Sequence, residues 1–238
     1  MKKIIKRILL IILIVIILLL AIYVKIGHDM YKEAISKKSI ETMVAEIKSK
    51  ENYTTIDKLP QDYLNAVVAV EDRRFYLHRG VDIISIGRAI VTDIASFKLK
   101  EGGSTITQQL AKNTYFTQSK NFSRKVAEIY VALDFEEKYS KPEILELYLN
   151  YSYFGGGNYC VGDATKYYFN KTPDQMDLYE STLLAGIPNA PSVYDPKKNP
   201  DLAWQRQKQV LRKMIRANYL TQEQADEILK IKYNERYN

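Results

Sequence analysis

The sequence predicts a mainly α protein behind one membrane-spanning helix, and three observations carry that prediction. An apolar run near the N-terminus is unbroken from Ile8 to Val24. Helix-capping signatures recur at Thr105/Gln108, Ser140/Glu143 and Thr221/Gln224, each opening a helical stretch. Alternating strand patterns are scarce, and no internal repeat or low-complexity segment follows the apolar run. Length and composition agree: 238 residues, 46% hydrophobic and 26% charged, fall in the globular range.

The elements follow in order. Residues 1–7 carry Lys2, Lys3, Lys6 and Arg7, which bias the N-terminus to the cytoplasm, although Lys25 and Lys32 weaken that asymmetry. Residues 8–24 would extend roughly 25 Å as a helix, and Ile4, Ile5 and the snorkelling Lys6 and Arg7 lengthen it toward a bilayer core of roughly 30 Å. A cleaved signal peptide is the competing reading, but the run is long for one and no small-x-small site follows it. Residues 25–52, rich in Lys, Glu and Ser, read as a polar helical or flexible connector. The globular domain is expected over 53–238, with loops at Gly155–Asn158 and in the proline-rich stretch Pro188–Pro196. Cys160 is the only cysteine, so neither an intramolecular disulfide nor a cysteine-based metal site is available. A net charge of +7 suits anionic lipid or a phosphate-bearing substrate; an exported domain argues against nucleic acid.

Three segments carry candidate chemistry. If 61–75 is a helix, Leu64, Val67, Val68 and Phe75 share one face and Glu71 lies among them, where clefts produce proton-transfer groups. The structural alternative is a buried glutamate paired with Arg73, Arg74 or Arg88. From Gly102 to Asn113 a glycine turn leads into a capped helix start, and Gln108, Gln109, Lys112 and Asn113 crowd donors into two turns, suiting an anion or simply a surface helix. In 120–133, Phe122, Val126, Ile129 and Leu133 form the expected core stripe, while Arg124 and Glu128 share the opposite face as an exposed ion pair of a few tenths of a kcal/mol. His78 reads as a hydrogen-bonded structural histidine, and Asp72, Asp82 and Ser104 as capping or turn residues.

Taken together, Glu71–Asp82, Gly102–Asn113 and Arg124–Glu128 resemble the first three motifs of bacterial peptidoglycan glycosyltransferases, in order and spacing. The fourth resembles Tyr139–Asn150 with Tyr153–Gly155, and the fifth Glu180–Pro196. The likeness runs from about 53 to 232. It implies a lysozyme-like, two-lobed glycosyltransferase domain behind the N-terminal transmembrane helix, with a mobile hydrophobic region between the first two motifs that dips into lipid, a role that residues 83–99 suit.

The resemblance also implies the chemistry. Glu71 matches the general base that deprotonates the sugar 4-hydroxyl of lipid II, with inversion to a β-1,4 bond and release of undecaprenyl pyrophosphate from the growing strand. Ser104, Gln108, Gln109, Lys112, Arg124 and Lys125 match donor-side binding residues. Glu128 matches a second essential carboxylate that orients donor groups or a divalent cation, Mg²⁺ or Mn²⁺. Lys198 fills a place where relatives often carry arginine, and Cys160 and Asn170 stand where glycine is common. Expected partners are lipid II, the growing glycan strand, the cytoplasmic membrane and other wall-synthesis proteins. The expected setting is a bacterial cytoplasmic membrane protein with an extracytoplasmic catalytic domain. With six residues after 232, no appended transpeptidase is expected. A glycan-cleaving enzyme of the same fold and an inactive scaffold are the rival readings.

Overall fold

The computed structural model describes residues 2–88, 103–117 and 121–237. Among them no β-strand forms, only one isolated bridge between Arg79 and Val81. The first helix, α1 (Lys2–Lys37), is continuous over 36 residues, about 54 Å at the α-helical rise. Its apolar half is exposed throughout and long enough to cross a membrane.

The start of the expected connector is helical. Lys25–Lys37 continues α1 and packs on α5 (Phe122–Lys138). Gly27 makes this close approach possible, since a Cβ there would lie 2.6 Å from both the Ser123 carbonyl oxygen and the Val126 Cβ. One turn on, the Tyr31 hydroxyl donates to Asp134 Oδ2 at 2.8 Å and its ring stacks on Tyr130, centroids 5.3 Å apart. Tyr23 meets Phe122 edge-on at 5.7 Å, so both helices ascend together and the packing is parallel. The next helix, α2 (Ile40–Lys48), is capped by Ser39 and buries Ile40, Met43, Val44 and Ile47. The core therefore begins at Ile40, not near Tyr53.

The three expected capping boxes are present: Thr105 opens α4 (Ile106–Tyr115), Ser140 opens α6 (Lys141–Leu149) and Thr221 opens α10 (Gln222–Lys230). The remaining helices are α3 (Gln61–Glu71), α7 (Val161–Phe169), α8 (Leu178–Gly186), α9 (Pro200–Arg216) and α11 (Tyr233–Tyr237). They pack as two sets: α4 against α5 and α6, and α3 against α8 and α9. One continuous core joins them, with Tyr63, Tyr148, Phe75 and Phe135 among its largest buried side chains.

Two expected faces need correction. Helix α3 stops at Glu71, because Asp72 leaves helical geometry at φ −154°, and Phe75 is buried from a short 3₁₀ turn instead. On α5 the buried side is Ser123, Ala127, Glu128, Val131, Ala132 and Phe135, whereas Phe122 and Leu133 are exposed. The reason is that α5 is covered on two sides, by α1 and by α4, so Val126 meets the anchor helix and Glu128 turns inward.

The fourth and fifth motifs supply scaffolding. Glu146 accepts from the Ile56 amide at 2.7 Å and from the Tyr53 hydroxyl, and Asn150 bonds both the amide and the carbonyl of Thr54. Glu180 is fully buried among Lys171, Arg236 and Tyr237, tying α8 to α11. Cys160 has an extended backbone at φ −151° that needs no glycine, and its sulfur caps α7; burial pushes the thiol up to about 11. Asn170 does occupy the left-handed region, φ 55°, which asparagine tolerates at a helix end.

Candidate active site

Glu71 ends a helix that is buried almost to its last residue, so its carboxylate emerges from the core with little freedom and side-chain exposure of 10%. Two groups reach it. Gln109 of α4 donates its amide to Oε2 at 2.8 Å, and Tyr148 of α6 donates its hydroxyl to the Gln109 carbonyl at 3.2 Å, which fixes the direction of that amide. On the other oxygen, Oε1, Arg206 of α9 approaches to 3.4 Å. Glu71 is thus a buried glutamate paired with arginine, but the arginine is Arg206. Arg74 lies beside Asp82 instead, 3.1 Å from Nε to Oδ2.

Asp72 fastens this helix end to the next motif. Its Oδ2 accepts the Ile106 amide at the start of α4 at 3.0 Å, and His78 Nε2 lies 3.1 and 3.0 Å from its two oxygens. Thr105 adds a second tie by donating its hydroxyl to the Gly80 carbonyl at 2.6 Å. Asp82 caps the segment 83–88 by accepting the amides of Ile84 and Ser85. His78, Asp72 and Asp82 therefore act as connectors that hold Glu71 and Gln109 in register.

The second carboxylate is held differently. Glu128 has side-chain exposure of 1%; Lys125 Nζ lies 2.9 Å from Oε2, and Arg124 Nε lies 2.9 Å from Oε1 as a charge contact without hydrogen-bond alignment. The sequence expectation of an exposed pair is overturned because α5 turns this face inward. Lys125 also donates to Ser104 Oγ at 2.8 Å, and Arg124 donates to the Thr117 carbonyl at 2.9 Å. Lys112, on α4 one turn beyond Gln108, interacts electrostatically with Glu128, Arg124, Lys125 and Glu71. Burial holds its ammonium below the ordinary lysine value, with Glu128 opposing the shift.

The structure thus brings together Glu71 with Gln109, and Glu128 with Arg124, Lys125 and Ser104, with Lys112 linking the groups. It leaves two expected residues apart. Gln108 is buried, and its carbonyl accepts the Thr105 amide at 3.1 Å, so the capping box that marks the helix start also turns this side chain inward. The Lys198 side chain is 67% exposed, and among the described residues its one carboxylate neighbour is Asp195, at 4.0 Å. Gly102 and residues 89–99 of the expected lipid-dipping segment lie outside the described residues; of the remainder, Ile83 and Ile84 are largely exposed.

A divalent cation held by Glu128 does not fit these residues. Mg²⁺ and Mn²⁺ need several oxygen ligands, whereas both Glu128 oxygens already face cations and a third, Lys112, stands nearby. The described residues that approach metal-ligand spacing are Asp72, His78 and Asp82, but their atoms serve the hydrogen bonds above and Arg74 lies against Asp82. Arg206 and Tyr148 are the residues that sequence reading missed. A signal for Arg206 existed: with Ala203 and Val210 it lies at i, i+3, i+7 on the buried stripe of α9.

A lightly held carboxylate beside a cluster of cations defines a group-transfer site suited to a hydroxyl nucleophile and an anionic leaving group. The protein-family model described as Transglycosylase matches residues 37–215, and the chain belongs to that family. It is 43% identical over 175 residues to penicillin-binding protein 1A of Aquifex aeolicus, covering 74% of this chain and 24% of that protein. It is 44% identical over 171 residues to penicillin-binding protein 1F of Bacillus subtilis, covering 72% and 24%. The chain therefore spans about a quarter of the length of these relatives. A crystal structure of penicillin-binding protein 1A from Haemophilus influenzae aligns with 28% identity over 53% of this chain and 16% of that chain, at a TM-score of 0.37.

Proposed function

We propose that this protein is a peptidoglycan glycosyltransferase that polymerises lipid II into β-1,4-linked glycan. Glu71 takes the proton from the acceptor sugar 4-hydroxyl. The freed oxygen forms the bond to the donor anomeric carbon as the bond to the phosphate oxygen breaks, with inversion, and undecaprenyl pyrophosphate leaves with the bonding electrons. Lys112, Arg124 and Lys125 receive the charge that grows on the pyrophosphate, which lowers the barrier most if they are already in place. Glu128 holds Arg124 and Lys125 where they are needed, and Ser104 and Gln109 complete the polar lining. Helix α1 anchors the domain in the cytoplasmic membrane, with the basic N-terminus inside and the catalytic part outside.

The observation that carries the reading is the contrast between a lightly held Glu71 and a Glu128 with a cation 2.9 Å from each oxygen, within a transglycosylase family chain. The test is incubation of the detergent-solubilised chain with purified lipid II and, separately, with preformed glycan strands. Polymer from lipid II is the expected product. Release of muropeptides from strands without polymer would mark a glycan-cleaving enzyme, and inertness toward both would mark a scaffold.

A further inference from the structure

Arg206 stands in none of the roles above, yet it is the only described cation in ion-pair range of Glu71. We propose that Arg206 is a positioning residue of the transfer reaction, holding Glu71 aimed while engaging its Oε1 only loosely, so that this oxygen can take the proton. This rests on the reading of Glu71 as the base.

The argument begins at Gly186, the last residue of α8. A Cβ there would lie 2.9 Å from Arg206 Cγ, so the glycine leaves space for the arginine stem to cross the helix end. Once across, the guanidinium is fixed on its other edges. Nε donates to the Gly186 carbonyl at 3.2 Å, and Nη1 donates to Gln209 Oε1 at 3.0 Å. The guanidinium carbon also stands 5.7 Å from the centre of the Tyr194 ring. These contacts stop the remaining Nη2 at 3.4 Å from Glu71, well beyond the roughly 2.7–2.9 Å of a tight charged hydrogen bond. A guanidinium at that range sets the direction of the carboxylate. It does not occupy the oxygen as fully as a closed bidentate pair, which would compete with the incoming proton. The same helix braces the neighbouring backbone, because Lys213 donates to the Val70 carbonyl at 2.7 Å. Lysine could not replace Arg206, since one ammonium cannot span Gly186, Gln209 and Glu71 in a planar fork.

The test is steady-state polymerisation by the full-length chain carrying Arg206→Ala. A misaimed base costs on the order of 100-fold in kcat, and KM for lipid II should stay within about twofold, because the guanidinium is already engaged by Gly186, Gln209 and Glu71. Added methylguanidinium, at millimolar concentrations below denaturing levels, should restore part of kcat in this variant and leave the parent unaffected. Gly186→Ala, which retains the charge and pushes on Arg206 Cγ, should lower kcat in the same direction and keeps the test open if Arg206→Ala does not fold. Unchanged kcat in a folded variant, a loss confined to KM, or no response to methylguanidinium would overturn the proposal. If Glu71→Gln also retains turnover, the base assignment itself fails; if Glu71→Gln is dead and Arg206→Ala is fully active, only the role of Arg206 fails.

Discussion

Glu71 and Glu128 are the same side chain in the same protein, and their surroundings differ in one respect that separates their roles. Glu128 has a cation within 2.9 Å of each oxygen and almost no exposure, so both of its oxygens are committed to charge contacts. Glu71 has one neutral amide at 2.8 Å and one arginine held off at 3.4 Å. A carboxylate that must change protonation state in each cycle is better left with an oxygen in reserve, and one that must keep cations in place is better saturated. Buried carboxylates thus divide by how completely their oxygens are engaged, and burial alone does not tell them apart.

This contrast can be broken by substitution, beginning where the effect should be greatest. Glu128→Ala leaves Arg124 and the partly exposed Lys125 without their counter-charge and should destabilise the domain by about 1–3 kcal/mol, read as a lower denaturant midpoint. A loss below about 1 kcal/mol would mean that the Glu128 cluster is not a structural lock. Next comes Lys112→Met, whose consequences should have opposite signs. Removing an ammonium that burial already disfavours should leave the ligand-free domain as stable or more so, while loss of a charge-assisted contact of about 1.5–3 kcal/mol weakens donor binding tenfold or more. Calorimetric titration with a lipid pyrophosphate checks the binding arm; unchanged affinity would remove Lys112 from the donor site. At the small end, Lys198→Ala should alter stability by less than about 0.5 kcal/mol, since its ammonium is exposed and its nearest recorded carboxylate is 4.0 Å away. A large drop in lipid II affinity in that variant would place Lys198 at the substrate after all.

Much of this was legible in the sequence because it rests on local rules. The capping boxes at Thr105 and Thr221, the helical texture and the 8–24 apolar run each follow from residues a few positions apart. Glu71 was legible because a carboxylate interrupts an apolar face. What escaped depends on which faces meet in three dimensions. The stripe on α5 was only half the story because nothing local reveals that the helix is covered on two sides, by α1 at Val126 and by α4, with Ala127, Glu128 and Val131 buried. Gln108 shows two duties under one sequence signature: its Oε1 serves the cap, while its Nε2 donor is buried without a hydrogen-bond partner among the described residues. Arg206 escaped because its partner lies 135 residues upstream, although its position on a core-facing stripe is the same kind of signal that marked Glu71.

The central claim is that Glu71, and not Glu128, carries the proton. Glu71→Gln keeps the shape of the side chain and can still bond Gln109, yet it cannot act as a base. Single-turnover polymerisation of lipid II by this variant, with donor binding measured on the same preparation, tests the claim most directly. The account predicts a fall of roughly 10²–10⁴ in rate with donor binding unchanged. A rate within a few-fold of the parent, or a loss that tracks weakened donor binding, would contradict it.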